Sequence, residues 1–351
     1  MKIFSNQLHH LHNGRQEMFR GRLVDCHEVP QRLEHVLSEL ARRPVGELLS
    51  PSVNLPLDAA LRSVHSPEYL AFLATAWDEW VSLSPDNVNR DALPSVWPLP
   101  GNYAFRMDRP PLNFAAKLGQ YAFDAGTPLM SGSWMAAREG AACALAAAQA
   151  VSTGESSAVA LTRPPGHHAG KAYMGGYCFL NNAAIAAQHL RTQGLQRIAV
   201  MDIDYHHGNG TQAIFDERSD VYTLSIHGDP QTEYPFFLGH ADERGTGIGE
   251  GFNMNFPLPK GTAFETWYEI LQRALQVIAD FSPQALVVPL GLDTYEGDPI
   301  SGFKLKSAHY LQVGRALASL RLPTVFTLEG GYAVADFGIN TVNVLEGFQS
   351  I

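Results

Sequence analysis

Five short apolar runs, each followed at once by a knot of polar residues, constrain this chain more than any other feature. They are "SAVALT" (157–162), "RIAVMDID" (197–204), "VYTLSIH" (221–227), "QALVVPLGLD" (284–293) and "PTVFTLEGGY" (323–332). Rich in Val, Ile, Leu and Ala without strict apolar–polar alternation, they read as parallel strands covered on both faces. Helical segments intervene. "SWMAAREGAACALAAAQAV" precedes the first run, "LNNAAIAAQHL" follows it, "TAFETWYEILQRALQVIADF" precedes the fourth and "KSAHYLQVGRALASL" separates the last two. Upstream, "HSPEYLAFLATAWDEWV" offers Ser66 as an N-cap and Pro67 as the first helical residue. The alternation predicts an α/β fold: an open, doubly wound, mainly parallel sheet with helices on both faces.

Ligands of such sheets bind outside the carboxyl ends of the strands. Here the runs lead into "RPPGHH", "DIDYHH", "SIHGDP", "GLDTYEGDP" and "EGGY", so five polar endings converge on one rim. The stretch "AVMDIDYHHGNG" (199–210) drives a core strand into carboxylates and imidazoles, which are kept there only when something replaces their lost water. A metal ion is the candidate. Asp204 and His206, two apart, point to one side of an extended strand end, and Asp293 at the end of another run supplies a third ligand. Read singly, Asp204 is equally an ordinary turn carboxylate and His206 a core histidine; the converging endings favour the metal. A second divalent ion would need further carboxylates, yet Gly208 and Tyr295 stand two residues beyond His206 and Asp293. One catalytic metal is expected.

"RPPGHHAG" sets His167 and His168 after a rigid turn, where adjacent imidazoles can serve as general acid and base, or be a solvated pair. Tyr332, after two glycines, can donate to a developing oxyanion or simply fill the core.

The formal net charge of −10 argues against nucleic acid and favours cationic ligands. Cys26, Cys143 and Cys178 lack CxxC spacing, so free thiols in a reducing compartment are expected. The N-terminal "MKIFSNQLHHLHNG" has no signal-peptide core and no run is long enough to span a bilayer, so a cytoplasmic protein without membrane contact is expected. Residues 1–351 read as a single domain. Within it, 81–113 is a long Pro- and Asn-rich insertion that carries Trp97, Tyr103 and Phe105.

Together, "RPPGHH", "GGYCFLNNAA", "DIDYHHGNGTQ", "LGLDTYEGDP" and "LEGGY" resemble the zinc-dependent histone deacetylase and acetylpolyamine amidohydrolase family, of arginase/deacetylase fold. The resemblance implies that Asp204, His206 and Asp293 hold one Zn²⁺ (or Fe²⁺). It implies that His167 and His168 flank the attacking water and that Tyr332 polarises the acetyl carbonyl. Asp202 would orient His167 and Asn209 would orient His168. A carboxylate partner favours a charged imidazolium and an amide does not, so His168 is expected to be the neutral base. The resemblance further implies a structural K⁺, held by Asp202, Ser225 and the carbonyls of Asp202, Asp204, His206 and Ile226. Tyr177 and Tyr234 would wall an acyl-amine channel, with the Gly176 carbonyl accepting from the substrate amide. The 81–113 insertion resembles the loop that narrows the entrance and forms a homodimer in bacterial acetylpolyamine amidohydrolases. That implies a small N-acetylated amine as substrate, with Asp108 the candidate for its distal ammonium. Ile300 stands where some polyamine deacetylases carry an acidic gatekeeper. The alternatives are a protein-lysine or broad acyl-lysine deacetylase and a non-catalytic acetyl-amine sensor.

Overall fold

The computed structural model describes residues 1–97 and 110–351; Asp108 and residues 98–109 of the insertion lie outside them. Eight parallel strands form one sheet. In spatial order they are β4 (Glu47–Leu49), β1 (Lys2–Ser5), β5 (Ser157–Leu161), β10 (Thr324–Leu328), β9 (Ala285–Leu290), β6 (Ile198–Asp202), β7 (Val221–Gly228) and β8 (Asn253–Leu258). A separate antiparallel hairpin joins β2 (Gln16–Phe19) to β3 (Arg22–Asp25). The five apolar runs are β5, β10, β9, β6 and β7, five consecutive neighbours at the centre of the sheet.

Every residue of those five strands is buried. Alternation then divides them between two cores. Ala158, Ala160, Val200 and Val287 pack on one face, and Val159, Leu161, Met201 and Val288 on the other. The first face is covered by the Ala-rich helix Ser133–Ser152, whose small side chains let its backbone come close. The second is covered in part by Phe264–Phe281, which buries Trp267, Leu271, Ala274, Leu275 and Ile278 as one stripe. Ser66 caps helix Pro67–Leu83, its Oγ accepting from the Tyr69 N–H at 3.2 Å.

Strands β6 and β9 stop short of Asp204 and Asp293. Pairing of β6 with β9 ends at Val200–Val287, and Pro289, which has no N–H to offer a ladder, lies just beyond. Asp204 and Asp293 therefore sit in loops above the sheet rather than in it. Among the described residues the three cysteines are free, and no helix is long and apolar enough to cross a membrane.

Candidate active site

Asp204 and His206 follow β6, and Asp293 follows β9; all three are buried. His206 Nδ1 lies 2.9 Å from Asp293 Oδ2 and 3.4 Å from Asp204 Oδ1. One ligand atom from each residue falls within 4.8 Å of the other two, and no other such cluster occurs among the described residues. The loops hold these groups through the main chain. Asp204 Oδ2 accepts from the Gly330 N–H at 2.8 Å, and Asp293 Oδ1 from the Tyr205 N–H at 2.8 Å.

The electrostatics call for a cation. Burial and the neighbouring Asp204 push the Asp293 carboxyl up to about 7. Burial pushes His206 down, but the Asp204 and Asp293 carboxylates outweigh it and hold the imidazole at about 10. Both shifts, a carboxyl and an imidazole each pushed up, mean that the cluster favours added positive charge, which a divalent ion supplies. Only a glycine lets the two carboxylates converge here: a Cβ on Gly330 would fall 2.5 Å from Asp293 Oδ2 and 2.6 Å from Asp204 Oδ2, so the space a side chain would take is left to the cluster. One imidazole and two carboxylates, with open positions, fit Zn²⁺ or Fe²⁺.

The two histidines beside this cluster differ in their partners. His167 Nδ1 donates to Asp202 Oδ2 at 2.9 Å, and His168 Nδ1 donates to Asn209 Oδ1 at 2.7 Å. Burial lowers both imidazoles, yet Asp204 and Asp202 outweigh it at His167 and lift it to about 10. At His168, burial is reinforced by His167 and His206, and the imidazole falls well below its usual value. His168 is neutral, and its Nδ1–H bond leaves Nε2 free to accept.

A channel of about 270 Å³ leads to the floor formed by His168, His206 and Tyr332. The Tyr177 ring packs edge-on against Tyr332, and Tyr234 edge-on against His168. Gly176 makes the wall's close approach possible: its φ is +54°, and an added Cβ would lie 2.1 Å from the His168 ring. Its carbonyl takes a 3.2 Å contact from Cys178 Sγ. The β2–β3 hairpin contributes Met18, Phe19 and Arg20 to the mouth, and Ile300 lines it too. Asp202 and Ser225 are cross-strand partners on β6 and β7; Ser225 Oγ is 2.7 Å from His227 Nδ1, and Ile226 follows it, buried.

Sequence reasoning missed the groups that brace this site. Asp124 lines the channel, and its Oδ2 accepts from both the Tyr234 hydroxyl and the Gly176 N–H at 2.7 Å. Glu17 Oε1 accepts from the Tyr177 hydroxyl at 2.8 Å. Arg32 is fully buried, donates from Nε to the Gly331 carbonyl at 2.7 Å and stacks 4.8 Å over the Tyr332 ring. Arg32 did leave a trace: it shares the buried stripe of helix Gln31–Arg42 with Leu33, Val36 and Leu40. An aspartate before Ala-Gly, as at 124, reads only as a turn.

Comparison with known proteins places this geometry. Residues 26–347 match the model of the histone deacetylase domain. Acetylpolyamine amidohydrolase 2 of Pseudomonas aeruginosa is 46% identical over 326 residues, 93% of this chain and 92% of that protein. Acetylpolyamine amidohydrolase of Mycoplana ramosa is 41% identical over 323 residues, 92% of each. The crystal structure of acetylpolyamine aminohydrolase from Burkholderia pseudomallei superimposes with a TM-score of 0.92 at 37% identity, covering 100% of this chain and 99% of that one. The chain belongs to the histone deacetylase domain family.

Proposed function

We propose that this chain is a metal-dependent amidohydrolase that removes the acetyl group from N-acetylated diamines and polyamines. The observation that carries the reading is one convergence. Asp204, His206 and Asp293 cluster where His206, neutral His168 and Tyr332 floor a narrow channel, in a chain 46% identical to a protein named for this activity. A divalent ion bound by Asp204, His206 and Asp293 would polarise the acetyl carbonyl and acidify the attacking water.

The chain's own groups supply the rest. Tyr177 and Tyr234 flank the acyl-amine stem, and the Gly176 carbonyl accepts from the substrate N–H. His168 Nε2 takes a proton from water as it attacks the carbonyl carbon. His167, kept charged by Asp202 and Asp204, offsets the negative charge that develops. The Tyr332 phenol donates to the acetyl oxygen as charge builds on it. The proton held on His168 then passes to the departing nitrogen, giving acetate and a free amine.

K⁺ belongs to this reading as a structural ion at Asp202, Ser225 and the carbonyls of Asp204, His206 and Ile226. An all-oxygen donor set suits such a hard cation. Residues 1–351 form one catalytic domain, supported by the match over 26–347. A homodimer through 81–113 is supported by exposed Leu83, Val88 and Leu112 at the described edges of the insertion. Three free cysteines support a cytoplasmic location. Net charge −10 supports a cationic substrate, and Asp108 remains the proposed partner of its distal ammonium.

Kinetics of the zinc-loaded enzyme test the substrate class. The value of kcat/KM for acetylputrescine, acetylcadaverine or acetylspermidine should exceed that for an acetyl-lysine peptide by about tenfold or more, a gap of ~1.4 kcal/mol. Equal or better turnover of the peptide would replace the small-amine reading with a protein deacetylase.

A further inference from the structure

The loop that carries Tyr332 is tied down at each successive residue. The Glu329 carbonyl accepts from Arg32 Nη2. The Gly330 N–H donates to Asp204 Oδ2 at 2.8 Å, and the Gly330 carbonyl accepts from the Leu292 N–H at 2.9 Å. The Gly331 carbonyl accepts from Arg32 Nε at 2.7 Å. The last tie is the Tyr332 N–H itself, which donates to Asp298 Oδ2 at 2.6 Å. Asp298 is buried and comes from a different loop, five residues past Asp293. Its other oxygen, Oδ1, accepts from the Ile300 N–H at 3.0 Å. Ile300 and Tyr332 both line the acyl channel, so one carboxylate fixes the backbone of two channel residues from two loops. Asp298 also stands at the N-terminal end of helix Val334–Gln349, where a negative charge is favourable.

The Tyr332 hydroxyl has no protein partner among the described residues that would place it from the far end. The position of the phenol is set by the backbone and by ring packing against Tyr177 and Arg32. We infer that Asp298 is a positioning residue for the reaction: through the Tyr332 N–H it holds the phenol where it can donate to the acetyl oxygen. The inference rests on Tyr332 acting as that donor.

Asp298→Asn is the discriminating change because it keeps size and removes one acceptor. The amide oxygen can serve either the Ile300 or the Tyr332 N–H, and its NH₂ then faces the other donor. On zinc-loaded protein, kcat should fall about tenfold or more while the substrate dissociation constant stays within about threefold. In a Tyr332→Phe background the same change should cost less than about twofold, because the group being positioned is already gone. Hydrogen exchange at the Tyr332 amide should speed up by about tenfold or more, a readout independent of activity. Asp298→Glu, which keeps both acceptors on a longer arm, should retain more kcat than Asp298→Asn. Multiplicative losses in the double variant, unchanged amide exchange, or an Asp298→Asn protein that loses metal or unfolds would each make Asp298 a structural residue and overturn the inference. Near-native turnover of metal-loaded Tyr332→Phe would overturn the phenol's role itself. That result differs from the case in which Tyr332→Phe is impaired and Asp298→Asn is not.

Discussion

Replacing Gly176 with alanine tests the tightest contact in the channel wall, and the structure supplies its own control. Gly176 has φ +54°, and an alanine Cβ would lie 2.1 Å from the Cδ2 of His168 and 2.7 Å from its Cγ. Two costs add. Forcing an L-residue into the left-handed region costs roughly 1–2 kcal/mol. Overpacking a close-packed site costs roughly 1–3 kcal/mol more. Gly247 has nearly the same φ, +57°, but an added Cβ there meets nothing within 4 Å. Gly247→Ala should therefore lose only the first ~1–2 kcal/mol, and Gly176→Ala about 2–5 kcal/mol, by urea unfolding. The chemistry should separate them further. Relief at residue 176 requires either the His168 ring to swing away from Asn209 or the wall to retreat from Asp124. A shift of about 1 Å in a catalytic group can cost ~10² in rate, so kcat of metal-loaded Gly176→Ala should fall by about that factor and Gly247→Ala should be unaffected. Equal stability of the two variants together with near-native kcat at Gly176→Ala would refute the reasoning.

Tyr332→Phe keeps the ring's contacts with Tyr177 and Arg32, so metal content should be unchanged while kcat falls ~10²–10³, or about 2.7–4 kcal/mol. Asp204→Ala and Asp293→Ala should each remove most bound divalent metal, read by metal analysis after gel filtration. Two transition-metal ions per active subunit would contradict the single cluster. His65 is held neutral, with Nε2 accepting from the Asn181 N–H and Nδ1–H donating to the Gly170 carbonyl, and burial lowers its imidazole to about 4. The unfolded chain takes up the proton first, so this stability is present above about pH 6.5 and lost as pH falls toward 4, up to about 3 kcal/mol. His65→Gln should flatten the pH dependence of the unfolding free energy in that window; an unchanged slope would assign it elsewhere.

What was legible in the sequence was local. The five central strands announced themselves because burial on both faces leaves an unbroken apolar run, and the clustered Asp204, His206 and Asp293 and the histidine pair sit within a few residues of the strand ends. The sheet's flanks were not visible. Strand β1 is four residues of "KIFS", β4 only three, and β8, "NMNFPL", carries asparagines and a proline. Their membership depends on neighbours brought together by the fold, as when Ile3 pairs with Val159. The hairpin at the mouth was missed for a related reason: "QEMF" and "RLVD" carry charges and bury little, so no apolar pattern marks them.

The braces of the site escaped reading because they join residues far apart in the chain; Arg32 and Gly331 are separated by 299 positions. They also explain why so many carboxylates crowd one rim. Asp202 accepts from the Asp204 N–H, Asp204 from Gly330, Asp293 from Tyr205, Asp298 from Tyr332, and Glu329 from Gly166 and His167. Each is buried and each accepts a main-chain donor, four of the five from a loop other than the turn it belongs to. An N–H bond to a charged acceptor contributes roughly 1.5–3 kcal/mol, which offsets part of the cost of burying the charge. The loops at the ends of β5, β10, β9 and β6 therefore hold one another through acids that a motif reading takes for metal ligands or turn formers. In "EGGY" the tyrosine draws attention, yet Glu329 anchors the backbone of the histidine turn at 2.6 and 3.0 Å. A carboxylate–imidazole cluster built on such mutually tied loops keeps its geometry without relying on a bound ion, which is why removing a tie, as at Asp298, should move the Tyr332 phenol without emptying the proposed metal site.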